Sequence, residues 1–176
     1  NELFGKKLDA EALSAVGDKI GADVPLCIKG GTLYNITSGD MITAECDTNC
    51  VFVCIYPDFT LSTAEAYAKY DENPTEINPH YADFVSSIVC GSLSDGAGFI
   101  SNVFTEIYHD SRIEEMKNDL LESGAVISEM TGSGSVVFGV FESEETAADA
   151  KNILSGKYPH VFTTRPVNCG VYVLER

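Results

Sequence analysis

Six consecutive residues, Val51-Phe52-Val53-Cys54-Ile55-Tyr56, constrain the fold more than any others in this chain, and Pro57 halts them. The run lacks polar alternation and so predicts a buried strand. Proline ends it by removing a backbone donor. A capping box follows, with Ser62 and, three places on, Glu65. Asn78-Pro79 opens a second helix with Tyr81, Phe84, Val85 and Ile88 on one side, and a third is predicted over 99–109. Ser111 and Glu114 form another capping box, placing Ile113, Met116, Leu120 and Leu121 inward before Gly124. Strands over 125–130 and 136–141 flank a glycine-rich turn. A helix over 143–155 turns Ala147, Ala150 and Ile153 inward, and strands over 161–165 and 170–174 complete the chain. The order strand, helices, strand, strand, helix, strand predicts an α+β fold. It is a split β-α-β (ferredoxin-like) antiparallel sheet with helices on one face.

Ahead of this pattern, Asp9 is placed to cap a helix with Leu13, Val16 and Ile20 on one face, Glu11 early and Lys19 late. Gly21 ends that helix and Pro25 prevents its continuation. Short strands are predicted over 26–28 and 32–36 around Gly30-Gly31, and a turn over 38–40. Polar turn residues cluster over 37–50, which divides the chain into a small part, 1–38, and a larger one, 50–176.

The chain carries 27 acidic and 11 basic residues, a net charge of −16. Such a surface repels nucleic acid and anionic membrane. An anionic ligand would need local backbone N–H groups and a metal ion. No secretory signal or long apolar run is present, so a cytoplasmic location is expected. Cys46, Cys50 and Cys54 recur every four residues, but no CxxC pair or nearby His accompanies them. They are expected to act as small hydrophobes, with no metal site and no disulfide.

Two short segments could carry chemistry. Gly132-Ser133-Gly134 lacks the Lys-Ser/Thr ending of a Walker loop and leads into a strand. By itself it is either a hairpin turn needing positive φ or a loop whose bare backbone can approach an anion. Asp23, just past a helix end, either bonds neighbouring N–H groups or serves as a free carboxylate. Thr63 and Tyr67 are four apart and share a helix face, so a hydroxyl and an aromatic ring could meet a phosphate and a flat base. Tyr67 could equally be a core aromatic with a wet edge.

Several stretches, in this order, resemble the 4-diphosphocytidyl-2-C-methyl-D-erythritol kinases, a branch of the GHMP kinase superfamily. The first is Asn1-Glu2-Leu3-Phe4 with Ile20-Gly21-Ala22-Asp23-Val24-Pro25-Leu26-Cys27-Ile28-Lys29-Gly30-Gly31-Thr32. The second is Leu61-Ser62-Thr63-Ala64-Glu65-Ala66-Tyr67, followed by Asn102 with Phe104. The third is Met130-Thr131-Gly132-Ser133-Gly134 with Val137-Phe138-Gly139-Val140-Phe141. The resemblance covers essentially the whole chain. The Gly-Ala-Asp-Val-Pro run is specific to this branch, and the glycine loop is shared across the superfamily.

The resemblance implies a C-terminal GHMP kinase domain over 50–176 and a remnant of the N-terminal catalytic domain over 1–38. It also implies transfer of the ATP γ-phosphate, with Mg²⁺, to the 2-hydroxyl of cytidine-diphospho-methylerythritol in non-mevalonate isoprenoid synthesis. Asp23 then matches the catalytic aspartate, Tyr67 the ring that stacks on cytosine and Thr63 the hydroxyl beside it. Gly132, Ser133 and Gly134 match the third superfamily motif. Ser135 and Val136 depart from the usual Pro and Thr or Ser after that loop, and Thr131 replaces a common Ser. The family's N-terminal lysine and second Gly-Ser-rich motif have no counterpart. The chain alone is therefore expected to bind ATP poorly, not to turn over, and to self-associate through exposed apolar faces. A homoserine or mevalonate kinase would keep Asp23 and the loop without needing Tyr67. A non-catalytic ligand-binding module would leave Asp23 as a helix-end residue.

Overall fold

The computed structural model of the chain describes residues 1, 5, 7–35, 41–44, 49–72, 74, 80–90 and 93–172. It divides into two compact units, Asn1–Cys46 with Pro166–Arg176, and Asp47–Arg165.

In the first unit, helix α1 (Ala10–Asp18) is capped as expected, the Asp9 carboxylate accepting from the Ala12 N–H at 2.8 Å. Its buried face differs from the expectation. Ser14 and Gly17 are buried, whereas Val16 and Ile20 are 47 % and 76 % exposed. The reason is close packing by α2 (Val24–Lys29): a Cβ on Gly17 would lie 2.9 Å from Val24 Cγ1 and 3.0 Å from Ile28 Cδ1. Helix α2 also replaces the strand expected over 26–28. Pro25, taken from the sequence as a stop, instead occupies the first turn, where its missing N–H costs nothing. Strands β1 (Thr32–Asn35) and β2 (Met41–Ala44) pair antiparallel, Asn35 opposite Met41, so β2 falls inside the stretch expected to divide the chain. The turn expected over 38–40 lies outside the described residues.

Residues 166–176 group with this first unit, whereas the sequence places them with the larger domain. Gly30 (φ +69°) shows why. A Cβ there would meet the Gly170 backbone nitrogen at 2.0 Å, and the Val171 N–H donates to the Ile28 carbonyl at 3.4 Å. Residues 170–172 accordingly form no strand, and 173–176 lie outside the described residues.

The second unit begins with β3 (Val51–Tyr56), buried as its composition requires. Helices α3 (Thr63–Glu72), α4 (Tyr81–Cys90), α5 (Leu93–Gly96), α6 (Val103–Tyr108) and α7 (Ser111–Glu122) follow. After them come β4 (Ile127–Met130), β5 (Val137–Phe141), α8 (Glu144–Leu154) and β6 (His160–Thr164). The four strands form one antiparallel sheet in the order β4-β5-β3-β6. This is the split pattern the sequence predicts. Alternation sends Val51, Val53, Ile55, Val137 and Phe141 to one face, against Ile113, Met116 and Leu120 of α7 and Ala147, Ala150 and Leu154 of α8. On α8 it is Leu154 that is buried, while Ile153 faces solvent. The opposite face, expected to be free of helices, bears a smaller cluster of Cys50, Ile127 and Val140, partly covered by Phe84 of α4 and Leu93 of α5, so helices are not confined to one face. Cys50 and Cys54 are both buried, and burial pushes the Cys54 thiol pKa up.

Two helix starts differ from expectation. Asp110, not Ser111, caps α7, accepting from the Arg112 N–H, and its guanidinium hydrogen bonds hold the Asp110 carboxyl below its ordinary pKa. The helix expected over 99–109 is broken: a 3-10 turn spans Ala97–Phe99, and α6 starts afresh behind Asn102.

Candidate active site

Asp23 sits at the N-cap of α2, where its carbonyl accepts the first helical bond from the Cys27 N–H at 3.1 Å. Its side chain makes no capping bond and is exposed. The carboxylate is thus not used in holding the helix. This places Asp23 in the first unit, and all other candidate residues in the second.

In the second unit the sequence-predicted residues converge. Thr63, first residue of α3, shares a hydrogen bond of 2.8 Å with the Ser133 hydroxyl of the β4–β5 loop, seventy positions away. One helical turn on, the Tyr67 ring is 56 % exposed and meets Phe104 of α6 edge-on, centroids 5.1 Å apart. Such a T-shaped pair fixes the inner edge of the Tyr67 ring and leaves area free for a planar ligand. The start of α3 is held from both sides. Its Glu65 N–H donates to Ser62 Oγ at 3.3 Å, half of the expected capping box, and the Tyr108 hydroxyl donates to the Ser62 carbonyl at 2.9 Å. Burial, with the Glu65 carboxylate nearby, raises the Tyr108 pKa and keeps it a donor. Lys69 lies over the Tyr108 ring at 4.9 Å.

The glycine loop itself is closed at its base by Thr131 N–H to Val136 carbonyl, 2.9 Å, and within by Gly134 N–H to Thr131 carbonyl, 3.1 Å. Gly132 adopts φ +57° with no atom within 4 Å of a notional Cβ, so this residue faces open space. The N–H groups of Gly132 and Ser133 have no hydrogen-bond partner among the described residues. Donors left free on a bare backbone turn fit an anion such as a phosphate. Ser135, the departure from the usual proline, is buried and donates to the Phe59 carbonyl at 2.6 Å, an anchor proline could not supply. Among the described residues no group of three or more His, Cys, Asp or Glu side chains is placed to hold a metal ion.

Residues 104–160, which contain α7, the glycine loop and α8, match the family model described as GHMP kinases C terminal. The 4-diphosphocytidyl-2-C-methyl-D-erythritol kinase of Acetivibrio thermocellus is 34 % identical over 170 residues, 95 % of this chain and 60 % of its own length. That of Caldanaerobacter subterraneus subsp. tengcongensis is 30 % identical over 176 residues, 99 % of this chain and 61 % of its own. Residues 104–160 form a GHMP kinase C-terminal domain.

The chain spans about three fifths of the length of the curated relatives it matches. Among solved structures, the fold is shared with homoserine kinase from Cytophaga hutchinsonii (TM-score 0.77, 17 % identity, 97 % of this chain and 62 % of that one). It is shared also with a 4-(cytidine 5'-diphospho)-2C-methyl-D-erythritol kinase (TM-score 0.66, 18 % identity, 92 % and 58 %). In this chain the sequence did not foretell the part played by Asn102. Its side-chain NH₂ donates to the carbonyls of Met130 and Gly132 at 2.7 and 2.8 Å, and its oxygen accepts from the Phe104 N–H at 2.9 Å. The signal was there: an Asn before Val103-Phe104 is a preferred N-cap, and it marks the break in the helix.

Proposed function

We propose that this chain is part of a kinase that transfers the γ-phosphate of ATP to the 2-hydroxyl of 4-diphosphocytidyl-2-C-methyl-D-erythritol. Relatives of that name match nearly its whole length at 30–34 % identity. The observation that carries the reading is Tyr67. Its exposed ring, backed by Phe104, stands one turn from the Thr63–Ser133 hydroxyl pair, so a flat base and a phosphate could be met together. A homoserine or mevalonate substrate has no base to stack there, and the likeness to the homoserine kinase structure is one of fold.

On this reading Asp23, free of capping duty, takes the proton of the attacking hydroxyl. A carboxylate is a weak base for an alcohol, which suffices when phosphoryl transfer is loose and proton transfer late. Positioning then does most of the work. The unpaired Gly132 and Ser133 N–H groups and the Thr63 and Ser133 hydroxyls bind phosphate oxygens, and Tyr67 holds the cytosine. ATP supplies the phosphoryl group, and Mg²⁺, arriving with it, neutralises the phosphates. No described helix is long and apolar enough to cross a membrane, and we place the enzyme in the cytoplasm.

The test is ADP release from ATP and Mg²⁺ with the cytidine substrate, using a longer protein that contains this chain. Asp23→Asn should cut kcat by about 10²–10⁴. Tyr67→Ala should raise KM for the cytidine compound by about ten- to a hundredfold, the worth of one stacked base. A folded longer protein that is silent with this substrate but active on homoserine or mevalonate would sink the assignment. Unchanged turnover in Asp23→Asn would remove Asp23 from the chemistry.

A further inference from the structure

The free donors of the glycine loop depend on which way one peptide unit faces. The Gly132–Ser133 bond is trans, so its C=O and N–H point in opposite directions. Asn102 holds the Gly132 carbonyl at 2.8 Å, which sends the Ser133 N–H the opposite way, where it has no partner among the described residues. Without that grip, Gly132 (φ +57°, open space on its Cβ side) leaves the peptide free to turn over. The second hydrogen of the same NH₂ fixes the Met130 carbonyl, anchoring the loop to the end of β4. The Asn102 oxygen caps α6 at Phe104, the residue that backs Tyr67.

We infer that Asn102 is a positioning residue: it turns the Gly132–Ser133 peptide so that the Ser133 N–H serves as a donor to a phosphate oxygen of the bound ligand. It also ties that donor to the aromatic platform through one side chain. The identity of the ligand as a cytidine diphosphate compound or ATP rests on the function proposed above; the peptide's orientation does not.

Asn102→Asp separates this role from simple helix capping. Asp caps helices as well as Asn does, so the Phe104 N–H keeps its acceptor. A carboxylate oxygen facing the Met130 and Gly132 carbonyls offers no hydrogen, and repulsion turns the peptide. The experiment titrates the 176-residue chain with inorganic pyrophosphate and follows the ¹⁵N–¹H shifts of Ser133 and Phe104. The unmodified chain should show a saturable Ser133 shift. Asn102→Asp should bind pyrophosphate at least tenfold more weakly, with the Phe104 signal in place. Asn102→Ser, which also caps but is too short to bridge both carbonyls, should show the same loss. The deficit of Asn102→Asp should shrink, relative to the unmodified chain at the same pH, as acid protonates the new carboxyl and restores a donor. A Ser133 signal that ignores pyrophosphate in the unmodified chain would overturn the inference, as would binding by both variants within twofold of it. Because turnover is not needed for this reading, a longer protein without kinase activity would count against the proposed function and not against Asn102.

Discussion

The two units of this chain use their apolar residues in opposite ways. The second buries Val53, Ile55, Leu120, Val137 and Phe141 completely, between a four-stranded sheet and two helices. The first buries small residues, Ser14 and Gly17, together with Pro25, and leaves Val16, Ile20, Val171 and Tyr172 exposed. One is held by apolar area removed from water, the other by close approach of backbone at glycines. The difference bears on the chemistry. Thr63, Tyr67 and the glycine loop stand on the unit with the large core, while Asp23 stands on the one whose described residues bury little apolar area. Substitutions in the two units should therefore differ in their effect on stability.

The sharpest way to break that contrast is to truncate one large side chain on each side of it. Phe141→Ala removes a fully buried ring from the centre of the sheet and should cost about 3–5 kcal/mol, measured as a lowered urea midpoint. Ile20→Ser, at a residue 76 % exposed, should cost less than about 0.5 kcal/mol. Equal losses would mean that the first unit hides an apolar core the exposures do not reveal.

A smaller and more local effect is expected at Gly30. An alanine there must accept φ +69° and place its Cβ 2.0 Å from the Gly170 nitrogen, so the 169–171 backbone has to move away. With ψ −174° this backbone lies in a region essentially confined to glycine, and holding a Cβ there costs about 1–3 kcal/mol. Amide exchange of Val171 should speed up in Gly30→Ala while the amides of β3 and β5 keep their protection. Loss of protection in both units would show that they unfold as one.

What the sequence revealed and what it concealed follow the same division. The β3 run, the Asp9 cap of α1 and the position of the glycine loop could all be read directly, because each is set by near neighbours. Pro25 misled because proline both stops one helix and suits the first turn of the next; nothing local decides between the two. Gly17 misled because an apolar face was expected to point inward, yet a neighbouring helix at van der Waals distance favoured the smallest residue. Of the candidate site, the residue types of Thr63, Tyr67 and Gly132–Gly134 were visible. Their juxtaposition was not, since the Thr63–Ser133 bond spans seventy positions and depends on sheet order. Asn102 was hidden for the same reason: two of its three bonds reach 28 and 30 residues away.

The finest test lies at the helix-helix seam of the second unit, where Tyr158 donates to Asp119 and Lys157 reaches Asp119 at 2.6 Å and Glu115 at 2.7 Å. Burial would raise the Asp119 pKa, but hydrogen bonds from Lys157 and Tyr158 outweigh it and leave it lowered. Its contribution is thus present above the unfolded carboxylate value and lost as pH falls through the lower folded value. The Tyr158 pKa is pushed up to about 12 by burial and then by its bond to Asp119. That contribution is complete below the unfolded value of about 10 and lost as pH rises from there toward 12. Tyr158→Phe keeps the ring's packing and removes only the hydroxyl, so it should cost about 1 kcal/mol at neutral pH. The variant should also lose the Tyr158 share of the expected decline in stability above pH 10, while the share of Tyr108, whose pKa is raised as well, persists. Asp119 would keep Lys157, so the acid-side loss should persist. If the two proteins fell in parallel at high pH, the Tyr158 bond to Asp119 would contribute nothing, and apolar burial alone would account for the second unit's advantage.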